Sequence, residues 1–246
     1  VIMLNFVFAD TAGDIGWMTS GKIPLRVRGD GSMPLRVTDG GDNWKGFVPA
    51  EAMPQAANPT EGWIATANNR TVPENYPVFM SSYFAPRYRY YRIRHLLTSG
   101  KDKLSTVDHW KFMRDDRNLM AEKVAPVIAK SLISHNETKR LGDVLAKWDF
   151  RDDKDAAAPL VFQALYRRFA FLTFKDDLGD ELAAAYLGTW YLWQERLESM
   201  VLAGASPWFD DVTTGAKDSM DDLFRKAAVD VLAEHGDDQG SDPADW

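Results

Sequence analysis

Apolar residues change their spacing along the chain near residue 86. In the front part they come in short alternating runs. Asn5–Asp10 (NFVFAD) and Ile15–Thr19 (IGWMT), joined by Thr11-Ala12-Gly13-Asp14, predict a β-hairpin. From Gly21 to Pro59 the GDGS, DGGD and NP turns interrupt short apolar pieces such as Phe47-Val48, with no sustained period. Gly62–Asn69 (GWIATANN) predicts a further strand that runs into Asn-Asn, and Pro73, Pro77 and Pro86 keep the next stretch extended.

Beyond residue 86 the helical period takes over. Arg87–Ser99 places Ile93, Leu96 and Leu97 on one face and stops at Gly100. Ser105-Thr106-Val107-Asp108 has the form of a capping box, and Val107, Trp110 and Met113 are expected on the buried side of its helix. Leu119–Ile133 is helical, with Pro126 expected to kink or restart it. Further helices are predicted at Glu137–Trp148, Ala156–Thr173 after an Asp155 cap, Asp180–Leu202 and Lys217–Glu234. No repeat of fixed period is present. The fold class is therefore α+β, mostly α: short antiparallel strands over 1–86, followed by a helical region over 87–246.

Composition supports the division, because the first 86 residues hold 8 of the 12 Pro and 9 of the 17 Gly. A length of 246 residues lies between one and two ordinary domains. The absence of cysteine excludes disulfides, thiolate metal sites and a Cys nucleophile. A net charge of −7 disfavours nucleic acid as a partner. The stretch 87–103, with six bases, one acid and three tyrosines, could stack on a single strand, but its arginines are better matched to internal ion pairs with the acidic helices. Val1–Ala9 is apolar but too short for a membrane helix and has no basic flank, so neither an anchor nor a signal peptide is expected. A strand at the first residue, and an acidic end (GDDQGSDPADW) closing on Trp246, lead us to expect a piece of a longer chain.

Most catalytic patterns are missing. His95, His109, His135 and His235 form no HExxH-type pair, and the Asp-Asp pairs lack EF-hand spacing. GDGS has neither the lysine nor the helix of a P-loop, and Gly-x-Ser-x-Gly does not occur. What remains is Gly62–Arg70 (GWIATANNR), where an asparagine at a strand end could present its amide N–H to a developing oxyanion. An Asn-Asn turn is the plainer explanation of the same residues.

The ordered series N-F-V-F-A-D-x-x-G-D-I-G-W, G-K-I-P-L-R, G-D-G-S, W-K-G-F-V-P, N-P-x-x-G-W-I-A-T-A-N-N-R, Y-R-x-x-R-I-R-x-L-L, W-D and S-P-W-F-D-D resembles the penicillin acylase (penicillin amidase) family of N-terminal-nucleophile hydrolases, from about Leu4 to Trp246. The resemblance implies a four-layer αββα sandwich with a helical excursion, made as a self-cleaving precursor (a zymogen) of a small and a large chain. The new N-terminal Ser of the large chain would be the nucleophile and its own α-amino group the base. This chain would then be an interior fragment of the large chain, inactive alone, with the rest of that chain and the small chain as partners.

The resemblance also supplies candidate site residues. Asn68 matches the oxyanion-hole side chain, with Asn69 its neighbour in competition. Arg89 matches the arginine beside the nucleophile's amine and the oxyanion asparagine, with Arg87 and Arg92 as competitors, and Leu4 falls where an apolar wall of the acyl pocket is expected. No cofactor is implied. A structural calcium occurs in several members, but the turn at Asp30 and Gly31 lacks a convincing carboxylate partner, so no metal is expected. The implied substrate is a small acyl amide: a penicillin, as in antibiotic synthesis, an N-acyl amino acid or an acyl-homoserine lactone. Neither nucleic acid nor membrane is implied, and bacterial export or a periplasmic location is. The alternative is a non-catalytic helical interaction module with a β cap, using Trp190, Tyr191 and Trp193 as its adhesive face.

Overall fold

A computed structural model describes residues 3–36, 44–100, 103–189 and 193–246. The chain divides into two compact units, Val1–Lys103 and Leu104–Trp246. The mostly helical α+β class read from the sequence is the one observed.

In the first unit β1 (Asn5–Ala9) and β2 (Ile15–Thr19) form the predicted antiparallel hairpin, with Asn5 opposite Thr19 and Ala9 opposite Ile15. The turn is closed by Asp10, whose carboxylate accepts from the N–H groups of Ala12 and Asp14 while Gly13 takes φ +95°. β3 (Pro24–Arg26) pairs with β4 (Trp44–Phe47), and β5 (Gln55–Ala57) adds to β2, giving the order β1-β2-β5. A small core of Ile23, Val48 and Met53 holds these pieces together. The DGGD turn at 39–42 is outside the described residues. α1 (Tyr88–Thr98) closes the unit, its Ile93, Leu96 and Leu97 only half-buried.

One predicted strand is absent. Gly62–Asn69 forms no ladder: Gly62 N–H bonds Pro59, Ala67 N–H bonds the Asn69 side chain, and the Asn68 carbonyl takes the Ala85 N–H. The β-type composition is there, but among the described residues no strand lies alongside to pair with it.

The second unit is helical. α2 (Thr106–Phe112) starts at the Ser105 capping box with Asp108. Its apolar face is turned the other way from the expectation: Val107, Trp110 and Met113 are 59%, 59% and 78% exposed, and Asp108 is buried. Spacing shows which residues share a face, but only a neighbouring element makes that face the inside. α3 (Leu119–Ile133), capped by Asn118, runs through Pro126 without a restart. α4 (Lys139–Ala146) packs on α3. α5 (Ala157–Leu178) is the axis of the core, apolar on most sides and packed against α4, α6 and α8. Its Phe162 stacks on Tyr166, and its Phe169 meets Phe224 of α8 at 4.2 Å between ring centres. Ala156, not Asp155, stands at its N-cap, with no side-chain cap.

The helix predicted over Asp180–Leu202 is two helices, α6 (Asp180–Gly188) and α7 (Gln194–Ala203), because Gly188 ends the first and Thr189 turns extended. α8 (Met220–Gln239) starts at a second capping box, Ser219 with Asp222. Among the described residues no helix is long and apolar enough to cross a membrane. Of the three aromatics invoked for an interaction module, Trp193 is buried against Tyr166, and Trp190 and Tyr191 lie outside the described residues.

Candidate active site

The first unit brings the Asn-Asn turn to the start of α1. Pro86 ends the extended stretch, and the helix that follows presents Arg89 toward residues 67–68. Arg89 Nη2 donates to the Ala67 carbonyl at 2.9 Å and to Asn68 Oδ1 at 2.8 Å. Ala85 N–H donates to the Asn68 carbonyl at 2.9 Å. Three hydrogen bonds therefore tie two consecutive residues to the root of one helix.

The two asparagines do different work. Asn69 is 5% exposed, and both ends of its amide are used locally: Oδ1 accepts from Ala67 N–H and Nδ2 donates to the Arg70 carbonyl. Asn68 is exposed and sits at φ +60°, a left-handed conformation that asparagine tolerates better than most residues. A guanidinium has donors only, so the amide atom facing Arg89 must be the oxygen. Nδ2 of Asn68 is thereby turned away from Arg89, and among the described residues it has no acceptor. This is a fixed N–H donor beside a fixed positive charge, an arrangement able to receive a negative oxygen.

Beside this turn opens a cleft of about 550 Å3 whose lining includes Thr66, Asn69 and Arg70, with Trp63, Tyr90 and Arg94 among the rest. Neither Asn68 nor Leu4 lines it. Leu4 immediately precedes β1, 49% exposed, with its carbonyl accepting from Ser20 N–H at 2.8 Å. Thus Asn68 and Arg89 are brought together, and Leu4 is not joined to them by any described contact. In the turn at 30–32, the Asp30 carboxylate takes both the N–H and the hydroxyl of Ser32, bonds that hold its pKa below the usual carboxylate range, and Gly31 lies against the Arg26 guanidinium. Among the described residues no three His, Asp or Glu side chains gather where they could hold a metal ion.

Two features escaped the sequence reading. One is the Ala85 N–H that fixes the Asn68 backbone, for which no residue type gives a signal. The other is Arg70, whose guanidinium lies over Phe84 at 5.0 Å.

Residues 1–246 match the family model described as penicillin amidase. The chain belongs to the penicillin amidase family. Among curated relatives it is 27% identical over 263 residues to the acyl-homoserine lactone acylase QuiP of Pseudomonas syringae pv. tomato, an alignment that covers 100% of this chain and 32% of that protein. It is 30% identical to the penicillin acylase 2 proenzyme of a Pseudomonas species, over 66% of this chain and 21% of the relative. Among solved structures, a thermostable penicillin G acylase from Alcaligenes faecalis superposes with a TM-score of 0.64 at 19% identity, covering 100% of this chain and 48% of that one. This penicillin amidase family member thus spans about a third of the length of the curated relatives that it matches end to end.

Proposed function

We propose that the intact protein is an acyl-amide hydrolase in which Asn68 Nδ2–H stabilises the oxyanion of the tetrahedral intermediate and Arg89 positions that amide. The observation that carries this reading is the 2.8 Å bond from Arg89 to Asn68 Oδ1, which aims the opposite end of the amide outward. Family membership supplies the reaction class. The attacking group in this reading is the N-terminal Ser of a processed large chain, contributed by a part of the enzyme other than these 246 residues. Its hydroxyl oxygen forms the bond to the amide carbon while its own α-amine takes the proton. As the C–N bond breaks, that proton passes to the leaving amine. Water then adds to the acyl-enzyme and releases the carboxylic acid.

The substrate is an acyl amide of the penicillin, N-acyl amino acid or acyl-homoserine lactone type, with the small chain and the remainder of the large chain as structural partners. No cofactor enters the scheme. The same reading includes synthesis as a precursor and export from the bacterial cytoplasm. Leu4 contributes an apolar wall of the acyl pocket, so Leu4→Ala is expected to raise KM for long acyl groups more than it lowers kcat.

The test is Asn68→Gly in the intact, processed enzyme. Glycine keeps the left-handed backbone and removes the donor, so kcat should fall about 10²–10³-fold with KM little changed. A kcat within threefold of the parent would remove Asn68 from the role. The 246-residue chain alone is expected to give no turnover of an N-phenylacetyl anilide, and clear turnover by it would overturn the assignment of the nucleophile elsewhere.

A further inference from the structure

Asn68 and the arginine that grips it stand 21 positions apart in the chain. Between them residues 70–84 leave the site and come back to it. Where they return, Ala85 N–H donates to the Asn68 carbonyl at 2.9 Å. Pro86 has no N–H to add a second bond, and it holds Ala85 extended. The far side of the loop is anchored elsewhere. Val78 and Met80 pack on the core of Ile23, Val48 and Met53, and the Tyr76 hydroxyl donates to the Ala52 carbonyl at 3.1 Å. Residues 70–84 thus form a closed surface loop whose two ends meet beside Asn68.

A single hydrogen bond fixes a point but not a direction, so the returning limb could pivot about Ala85. A second tie stands next to it. The Arg70 guanidinium lies over the Phe84 ring, 5.0 Å from its centre, within the range of a cation–π contact. Both residues are half-buried, where such a contact is stronger than in open water. Arg70 is also fixed at its main chain, because its carbonyl accepts from Asn69 Nδ2 at 2.9 Å. The pair therefore joins the residue after the two asparagines to the residue before Ala85. Two adjacent attachments set the direction in which the chain enters α1, and Arg89 is the second residue of that helix. The direction decides whether Arg89 Nη2 arrives 2.8 Å from Asn68 Oδ1.

We infer that Arg70 and Phe84 are a positioning pair: their cation–π contact closes the neck of the 70–84 loop and keeps Arg89 in register with Asn68. This deepens the hydrolase reading and rests on it. Arg70 also borders the cleft, whereas Phe84 does not, so Phe84 separates positioning from contact with a ligand in that cleft.

The experiment is steady-state kinetics of the intact processed enzyme on a chromogenic acyl anilide, with Phe84→Leu, Phe84→Tyr and Arg70→Gln. Leucine keeps most of the apolar bulk and removes the ring face, and tyrosine keeps the face. Phe84→Leu and Arg70→Gln should each lower kcat per folded enzyme about three- to tenfold, with KM within about twofold of the parent. Phe84→Tyr should rescue most of the loss. In the Asn68→Gly background Phe84→Leu should lower kcat no further, because the donor that the pair positions is gone. Hydrogen–deuterium exchange of the same enzymes gives a readout independent of turnover. The peptide carrying Ala85 N–H should exchange about three- to tenfold faster in Phe84→Leu and Arg70→Gln than in the parent.

Parental kcat in Phe84→Leu, a raised KM at unchanged kcat in Arg70→Gln, or losses that add to that of Asn68→Gly would overturn the inference. If Phe84→Leu does not fold, Arg70→Gln carries the test, and parental exchange at Ala85 in that variant is the contrary result. Parental kcat in Asn68→Gly would overturn the oxyanion reading instead, and exchange at Ala85 would still uphold or refute the clasp between Arg70 and Phe84.

Discussion

If Arg89 acts on the reaction only by holding Asn68, the two residues must fail non-additively. Arg89→Gln removes both Nη2 bonds, to the Ala67 carbonyl and to Asn68 Oδ1. A hydrogen bond to a charged group contributes about 1.5–3 kcal/mol where water is excluded. Ala67 is buried but Asn68 is exposed, so solvent screening should reduce the loss to about 1–2 kcal/mol for the pair of bonds. The Ala85 N–H still fixes the Asn68 carbonyl, so the turn should survive while the amide regains its rotamers. A donor displaced by about 1 Å costs about 10²-fold at most. We therefore expect Arg89→Gln to lower kcat about 10- to 100-fold in the intact processed enzyme, less than the roughly 10²–10³-fold of Asn68→Gly.

The double variant should be no slower than Asn68→Gly alone, giving a coupling energy of about 1.4–2.7 kcal/mol, the whole effect of Arg89→Gln. Glycine rather than alanine belongs at 68, because alanine at φ +60° would add about 1–2 kcal/mol of backbone strain unrelated to the donor. Steady-state kcat on a chromogenic acyl anilide is the assay, with thermal melts to show that all variants are folded. Strictly additive losses would refute the clamp and mean that Arg89 meets the substrate or the nucleophile by itself.

Three further outcomes follow from the helical unit. A Cβ at Gly142 would lie 2.8 Å from Ile133 Cγ1, 2.9 Å from Ile133 N and 3.0 Å from the Ala129 carbonyl, so Gly142→Ala should lose about 1–2 kcal/mol by urea unfolding despite alanine's better helix propensity, and a gain would refute the close α3–α4 approach. Ser219→Ala should cost about 1 kcal/mol near neutral pH. Because the Ser219 hydroxyl and N–H lower the Asp222 pKa from 3.8, that stability is present above pH 3.8 and lost as pH falls through the folded-state value, so the deficit should shrink in acid; an undiminished deficit would be the contrary result. Burial raises the Glu198 pKa above 4.5 despite Lys123 at 2.8 Å. The unfolded state therefore releases this proton first, and stability should fall as pH rises above 4.5, up to the folded-state value. Glu198→Gln should remove that slope and be neutral or stabilising at pH 7, and a loss of more than about 1 kcal/mol there would show the ion pair to be a net stabiliser.

The sequence made visible the parts of the fold that close on themselves. The β1–β2 hairpin, the capping box at Ser105 and the body of α3 each depend on residues within a few positions of one another, and all three are found as read. The failures share the opposite property. Gly62–Asn69 has strand composition, yet strand is defined by a partner, and the described chain supplies single hydrogen bonds there instead of a ladder. Val107, Trp110 and Met113 have helical spacing, yet no helix of their unit packs on them extensively. The break between α6 and α7 was hidden because both pieces carry good helix formers and the signal was only Gly188 followed by an extended Thr189.

The candidate site follows the same rule, and this explains which of its ambiguities the sequence left open. Asn68 and Asn69 are indistinguishable as letters, and Arg87, Arg89 and Arg92 lie within two turns of one helix. What separates them is which way a left-handed residue throws its neighbours. With Asn68 at φ +60°, the chain reverses so that Asn69 folds back to cap Ala67 and Arg70, while the Asn68 side chain stays at the surface where Arg89 can reach it. The substitution that tests this is Asn69→Ala. It removes two local bonds from a buried amide and should cost about 1–3 kcal/mol of stability. If Asn69 is a scaffold, kcat per folded enzyme in the intact protein should change only a fewfold. If the donor were Asn69, kcat would fall with no matching loss of stability, and the roles assigned to the two residues would have to be exchanged.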